Sequence, residues 1–426
     1  MRLLALAVPF AVAAAAATIS QGVTFNKDVV PILQSRCQDC HRPGEAAPMS
    51  LLSYQDARPW AKSIRQAVIT RKMPPWFADP HVGKFANDRS LTQAEIDTLV
   101  AWVDGGAKEG NPKEAPAPRK FIEGWSIGNP DLVLEMPVAF DVPASGQVEY
   151  QYVILPTNLK EDRWIQTTEV RPSQRAVMHH VIAFIREPGS KWMADSKPGV
   201  AFVPPRGSRG EQLGGGLGSF VPGQVTVAPA GTARRATLLK AGSDIVFQLH
   251  YTPNGKAVSD QTKIGIIFAK EPPATRLVGG NAAAYRFAIA PGDSNYKVEG
   301  SSTLQYDCDL VSMMPHAHLR GKAFEYRIVR PDGQTETVLS VPHYNFNWQL
   351  TYYLEKPIHL PKGTKLEVTA WYDNSPNTPF NPDPTKEVHW GEQTWEEMMM
   401  GYFNVAVDAS QQIDRKRPGQ ASAAAQ

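Results

Sequence analysis

Cysteine is scarce in this 426-residue chain: there are three, too few for a disulfide framework, so apolar cores must stabilise whatever it folds into. Charge of one sign is lacking as well. Lys and Arg total 44 against 42 Asp and Glu, a formal net charge of +2, and both signs are spread along the chain. That balance gives no electrostatic reason to expect nucleic acid or an anionic membrane surface as partner. Long apolar runs are missing too. Beyond Leu3 to Ala17, no segment approaches the ~20 residues of a membrane-spanning helix. The glycine-rich run Gly207 to Gly223 lacks the strand-loop-helix context of a phosphate loop and reads as a long surface loop.

Residues 1–20 have the form of an export signal. Arg2 precedes the apolar stretch, and small residues around Ala15 to Ala17 suit A-x-A cleavage. The expectation is a periplasmic or extracellular protein. The chain is longer than one core usually spans, and two or three domains follow. Residues 23–110 carry helical periodicity: Trp60, Ile64 and Val68 form one stripe, and Ile96, Leu99, Val100 and Val103 another. The second stripe opens on a Thr92/Glu95 capping box and stops at Gly105-Gly106. Residues 111–124, rich in proline and polar side chains, read as a linker. Beyond Trp125 the period changes to two, as in Val148, Tyr150, Tyr152, Ile154 and in Leu366, Val368, Ala370, Tyr372. The expected architecture is a small all-α domain followed by two all-β sandwiches, at 125–272 and 273–410, with a frayed tail at 411–426.

Cys37-Gln38-Asp39-Cys40-His41 is the C-x-x-C-H pattern of covalent haem attachment. Two thiols form thioethers to the vinyl groups, and the adjacent histidine becomes the proximal iron ligand. The helical domain is therefore expected to be cytochrome c-like, with His41 on the iron. A structural zinc site needs more Cys or His nearby, and only His81 is available. For the sixth ligand Met73 is preferred, because Pro74 and Pro75 fix an extended turn beside it; Met49 and His81 are its rivals. A His/Met haem passes single electrons, so this domain reads as a relay. Cys308, left without a partner, reads as a small buried apolar residue.

Five of the ten histidines fall into two groups. His250 ends a run in which Ile245, Phe247, Leu249 and Tyr251 share one strand face while Val246, Gln248 and His250 share the other. In His316-Ala317-His318 both rings lie on one face, about 6 to 7 Å apart at their roots, a span that admits one metal. Adjacent His179 and His180 cannot both point the same way from a regular strand; if both hold one ion, the strand must kink or end there. His81, His343, His359 and His389 stand alone and read as ordinary core or surface residues. Imidazole suits zinc or copper, whereas a thioether such as that of Met398 favours Cu(I).

These motifs resemble the copper type II, ascorbate-dependent monooxygenases, the family of peptidylglycine α-hydroxylating and dopamine β-monooxygenases. The resemblance rests on Val177-Met178-His179-His180, Gln248-Leu249-His250-Tyr251, His316-Ala317-His318-Leu319-Arg320-Gly321 and Thr394-Trp395-Glu396-Glu397-Met398, in the family's order. It implies two jelly-roll sandwiches, each with one copper, facing one another across a solvent-filled cleft. His179, His180 and His250 would hold an electron-storing copper. His316, His318 and Met398 would hold the copper that meets O2, and Tyr402, which keeps a tyrosine of the family, would join them as a catalytic residue. The implied reaction is hydroxylation of an sp3 C–H of a small substrate, one oxygen atom being incorporated and two electrons supplied singly. Peptide-amidating members have an arginine where this chain has Met314 and an asparagine where it has Met400, so a peptide carboxylate is a poor substrate. The haem domain would replace ascorbate by relaying electrons from an external donor. The alternative is a non-catalytic haem and copper protein for electron transfer or copper handling.

Overall fold

The computed structural model describes residues 22–204, 217–222 and 235–412. The expected signal peptide, most of the glycine-rich run and the tail beyond residue 412 lie outside the described residues. The chain separates into two compact units. One comprises residues up to Pro75 together with Arg89–Lys120, and the other Trp76–Asp88 together with Phe121 onward.

The first unit is helical, with α1 (Val30–Arg36), α2 (Tyr54–Ala57), α3 (Ala61–Ile69) and α4 (Gln93–Asp104). The capping box of α4 forms as the sequence requires: Thr92 accepts from the Glu95 N–H, and Glu95 reaches back to the Thr92 N–H. Ile64 and Val68 of one stripe and Ile96 and Leu99 of the other meet in a core with Phe25, Val29, Leu33, Ala57 and Trp102, whereas Trp60, expected on the first stripe, is exposed. Trp102 is fully buried because its indole N–H donates to the Lys108 carbonyl at 3.0 Å.

Two expected boundaries are corrected. The proline-rich stretch 111–124 is not a free linker over its whole length, since residues up to Lys120 belong to the helical unit. Arg119 pairs with Asp39 at 2.6 Å and donates to the Gln34 carbonyl, and Gln34 in turn donates to the Ala117 carbonyl at 3.0 Å. Low regularity in a sequence predicts absence of helix and strand, not absence of contacts. Nor is the helical domain contiguous over 23–110. Trp76–Asp88 leaves it between α3 and α4 and joins the second unit, because Trp76, Phe77 and Phe85 find apolar cover there.

The second unit is built of strands: β1 (Leu132–Glu135), β2 (Phe140–Val142), β3 (Gln151–Pro156), β4 (Arg163–Arg171), β5 (Met178–Arg186), β6 (Gly218–Phe220), β7 (Arg235–Leu239), β8 (Asp244–Tyr251), β9 (Val258–Asp260) and β10 (Lys263–Phe268). There follow β11 (Thr275–Ala284), β12 (Ala288–Ile289), β13 (Tyr296–Thr303), β14 (Cys308–His316), β15 (Gly321–Val329), β16 (Thr335–Val341), β17 (Tyr352–Leu360), β18 (Lys365–Tyr372), β19 (Val388–His389) and β20 (Met399–Asp408). An eight-stranded sheet runs β1-β10-β4-β7-β11-β20-β14-β17. The four-stranded sheet β3-β8-β5-β6 packs with its first half around Val153, Val181, Phe247, Leu249, Ile264 and Ile266. A second, β13-β18-β15-β16, packs with the other half around Leu310, Met313, Phe324, Leu366, Val368 and Phe403. Two sandwiches thus share one long sheet, joined where β7 runs parallel to the start of β11. Strand β18 shows the alternation expected of Leu366, Val368, Ala370 and Tyr372, which are buried in turn. Strand β3 departs from it. Tyr152 and Ile154 are buried in a satellite cluster while Val153 and Leu155 fill the main core, so both its faces are covered. No helix among the described residues is long and apolar enough to cross a membrane.

Candidate metal centres

In the helical unit, α1 ends at Arg36, and the chain turns so that the Cys40 and His41 N–H groups both donate to the Cys37 carbonyl. Cys37 and Cys40 are unpaired thiols, and burial raises the pKa of both, Cys37 to about 12. His41 Nδ1 lies 3.2 Å from the Met49 carbonyl oxygen. A carbonyl can only accept, so Nδ1 carries the proton and Nε2 keeps its lone pair, as an axial ligand requires. Exposed His81 belongs to the other unit, where its N–H donates to Asp79. Cys37, Cys40 and His41 do not converge to within 4.8 Å of one another, as ligands of a single small ion would. Thioether and iron attachments on a porphyrin lie apart, so the donor set fits haem c, which would be held by these three residues.

The one group of three such donors that does converge, among the described residues, is His179, His180 and His250, whose ligand atoms lie within 4.8 Å of one another. Antiparallel pairing of β5 with β8 sets Met178 opposite Tyr251 and His180 opposite His250, leaving His179 as the extra residue of a β-bulge. The bulge lets neighbouring side chains turn to one ion. The ring centroids are 4.7 to 5.3 Å apart. All three imidazoles are buried, and His179 Nε2 and His250 Nδ1 have no hydrogen-bond partner among the described residues. Unpaired buried lone pairs are costly unless something accepts them, and a cation does.

Burial, reinforced by the neighbouring imidazoles, depresses all three pKa values, that of His179 to about 4. The folded state therefore binds protons more weakly than the unfolded chain. This contribution to stability is complete above the ordinary histidine value of 6.5 and is lost as pH falls toward about 4. The metal-free protein is expected to lose about 3 kcal/mol from His179 alone over that window. Denaturant unfolding at pH 7 and pH 4.5 measures this, and His179→Phe should flatten the dependence.

The second set is assembled from three places. His316 ends β14, His318 follows in the turn, and the rings stand perpendicular with centroids 5.3 Å apart. His316 Nδ1 lies 2.6 Å from Gln349 Oε1, and His318 Nδ1 lies 3.1 Å from the Glu396 carbonyl. Both partners are acceptors, so both rings donate at Nδ1 and present Nε2 to a metal. Glu397 ties the pieces together. It is completely buried, with Oε2 accepting from the His318 and Met398 N–H groups at 2.8 and 3.2 Å and Oε1 from the Arg320 N–H at 2.7 Å. Burial lifts its pKa to about 7 despite these donors and the nearby Arg320 charge. The Arg320 side chain is itself buried and donates to Asn374 Oδ1 and the Trp395 carbonyl. Tyr372 donates its hydroxyl to the Met398 carbonyl at 2.7 Å. Pairing of β14 with β20 puts Met400 opposite His316 and Tyr402 opposite Met314, with the Tyr402 ring 6.2 Å from that of His316.

The two sets are not separated by open solvent, as the resemblance implied. His179 and His318 are 8 % and 1 % exposed. Phe346 stacks on His179 at 4.7 Å and meets His318 edge-on at 6.4 Å. The charges that depress His180 and His250 include those of His316 and His318. Phe346 belongs to the loop between β16 and β17, which also carries Gln349 and Tyr344, whose hydroxyl bonds the Ala317 backbone at 2.9 Å. Tyr150 packs on His250 at 4.5 Å. No ligand spacing marks Gln349, Phe346, Tyr344 or Tyr150 in the sequence, and Glu397 stands beside Met398 with nothing local to give it a role.

Fold and donor groups together define a double β-sandwich with two buried histidine sets. Residues 277–412, which contain the second set, match the family model described as copper type II ascorbate-dependent monooxygenase, C-terminal domain. No curated protein matches the chain. Among solved structures, a cryo-EM structure of Broad Bean Stain Virus aligns at 8 % identity over 68 % of this chain and 92 % of its own, with a TM-score of 0.25. The VP2 subviral particle of infectious bursal disease virus aligns at 10 % identity over 62 % and 57 %, TM-score 0.20. A Paenibacillus xanthan lyase aligns at 11 % over 70 % and 28 %, TM-score 0.18. Superpositions this loose say nothing about function.

Proposed function

We propose that this chain is an exported copper-dependent monooxygenase that hydroxylates an sp3 C–H of a small substrate with O2, taking electrons from an external donor through its own haem c. The observation that carries this is the second histidine set. Within the matched family domain, His316 and His318 each spend Nδ1 on an acceptor and offer Nε2, beside the clamped backbone of Met398. When bound, copper supplies one-electron chemistry at both sets and oxygen reduction at the second. The chain's residues do the rest. Gln349 and Glu396 hold the imidazole protons away from the metal side, and Glu397 keeps His318 and Met398 in register. Phe346 excludes water between the sets. Met314, two residues before His316, and Met400, paired opposite His316, are uncharged, which disfavours a peptide carboxylate as substrate. Cys37, Cys40 and His41 would hold the haem, with Met73 as sixth ligand.

Metal analysis of protein matured with its haem tests this. One iron and two coppers per chain are expected, with one copper lost in His316→Ala/His318→Ala. Zinc in place of copper, or a lone copper that survives that replacement, would sink the reading. The burial of all five histidines favours a second reading, a non-catalytic electron-transfer or copper-handling protein. Oxygen uptake coupled to C–H substrates separates the two: the enzyme consumes oxygen in proportion to product, and the carrier does not.

A further inference from the structure

The segment Trp76–Asp88 follows Pro75 and precedes Arg89 of the helical unit, yet it folds as part of the sandwich unit. It runs along β17, the last strand of the eight-stranded sheet. The Ala86 N–H donates to the Tyr353 carbonyl at 2.8 Å, the Glu355 N–H to the Lys84 carbonyl at 2.9 Å, and Phe85 bridges to Leu354. Asn87 adds a two-sided contact: its Nδ2 donates to the Thr351 carbonyl at 2.7 Å, and its Oδ1 accepts from the Tyr353 N–H at 3.1 Å. Trp76 and Phe85 pack on the Tyr352 ring at 5.0 and 5.5 Å. At the other end, the Asp79 N–H donates to the Ser340 carbonyl in β16 at 2.8 Å. Gly83, at φ +71°, comes so close to β16 that a Cβ there would sit 2.6 Å from the Val338 carbonyl oxygen.

Covering an exposed sheet edge would account for the contacts to β17. Strand β16 is likewise the last strand of its own four-stranded sheet, so this one segment ties two sheet edges to each other. Strands β16 and β17 are the two stems of the loop that carries Tyr344, Phe346 and Gln349, the side chains that touch Ala317, His179 and His316. Gln349 is 2 % exposed, and its Nε2 has no partner among the described residues. A buried amide bonded on one side only is held by its surroundings rather than by its own bonding.

We propose that Trp76–Asp88 is a positioning clamp for the second metal set: by gripping both stems it keeps Gln349 on His316 and so governs metal affinity there. The inference rests on the reading that His316 and His318 bind copper. It extends that reading by making a segment that lies between α3 and α4 in sequence, but folds in the sandwich unit, a structural requirement of the site.

The test uses the full chain and Cu(I) delivered against a chromogenic chelator. Asn87→Ala is expected to weaken the second set by about tenfold, the lower end of what losing an outer-shell partner of a metal ligand costs. Gln349→Ala should weaken it similarly, and the double variant no further, because both act through one hydrogen bond. Asn87→Asp keeps the acceptor for Tyr353 and loses the donor to Thr351, so it should fall between and serves if the alanine variant does not fold. Multiplying effects, or a lowered melting temperature with unchanged affinity, would overturn the clamp. A second readout needs no metal. In 15N spectra of the metal-free protein, His316 should be a single Nδ1–H tautomer in the wild type and a mixture in Asn87→Ala; an unchanged tautomer overturns the proposal. If the wild type binds no second copper but the tautomer shifts, the copper reading fails and the clamp stands.

Discussion

Glu397→Ala is expected to destabilise the sandwich unit by about 3–5 kcal/mol and to abolish metal binding at the second set. The carboxylate is fully buried and accepts from the backbone N–H groups of His318, Arg320 and Met398. Removing it leaves those donors unsatisfied in a dry interior, at about 1–3 kcal/mol for each such group, and takes a carboxylate away from the buried Arg320 charge. Because His318 and Met398 share one oxygen of Glu397, the loss also separates two elements that reach the site from distant parts of the chain. Glu397→Gln should retain the shape and lose less, since the amide still offers one acceptor oxygen while its NH2 faces a backbone donor. Urea unfolding of the metal-free protein gives the stability change, and copper stoichiometry gives the site. A Glu397→Ala protein with wild-type stability and two coppers would show that the carboxylate is a bystander.

His180→Ala is expected to divide the two sets by role. One copper should be lost and the second retained, because His316 and His318 take their orientation from Gln349 and Glu396 and not from β5. Steady-state oxygen uptake should fall by at least about a hundredfold, beyond the cost of removing a mere outer-shell partner of a ligand. Protein reduced beforehand at the second set alone holds one electron, one short of the two a hydroxylation consumes, so no single turnover should yield product unless the haem supplies the other. If steady-state turnover persists, the first set stores no electron needed for the reaction. The metal-free variant should also resist acid better than the wild type, because His180 is one of the three buried imidazoles that folding forces to stay neutral.

The adjacent pair His179-His180 and the pair His316-Ala317-His318 were legible because histidine is scarce and these spacings are local. Period two in Ile245 to Tyr251 put His250 on the face opposite Phe247 and Leu249, and β8 has that arrangement, with Phe247 and Leu249 in the main core and Val246 outside it. The demand that β5 kink at His179-His180 followed from strand geometry, and the bulge meets it. The capping box of α4 was equally local. Gln349, Phe346 and Asn87 were not legible. Each acts through a partner far away in sequence, Gln349 on His316 and Asn87 on Thr351, and a lone Gln, Phe or Asn carries no spacing signal.

By itself the sequence determined the residue types, the change from helical to strand periodicity near Trp125, and the C-x-x-C-H spacing, all of which are local. Tertiary structure decided the rest. It split the helical unit by the excursion of Trp76–Asp88, joined two sandwiches through one eight-stranded sheet, and buried both histidine sets around Phe346. The reason is that side-chain period and ligand chemistry are written along the chain, whereas pairing partners depend on which apolar surfaces meet. That meeting brought a buried carboxylate, Glu397, between His318 and Met398 and set an amide, Gln349, on His316.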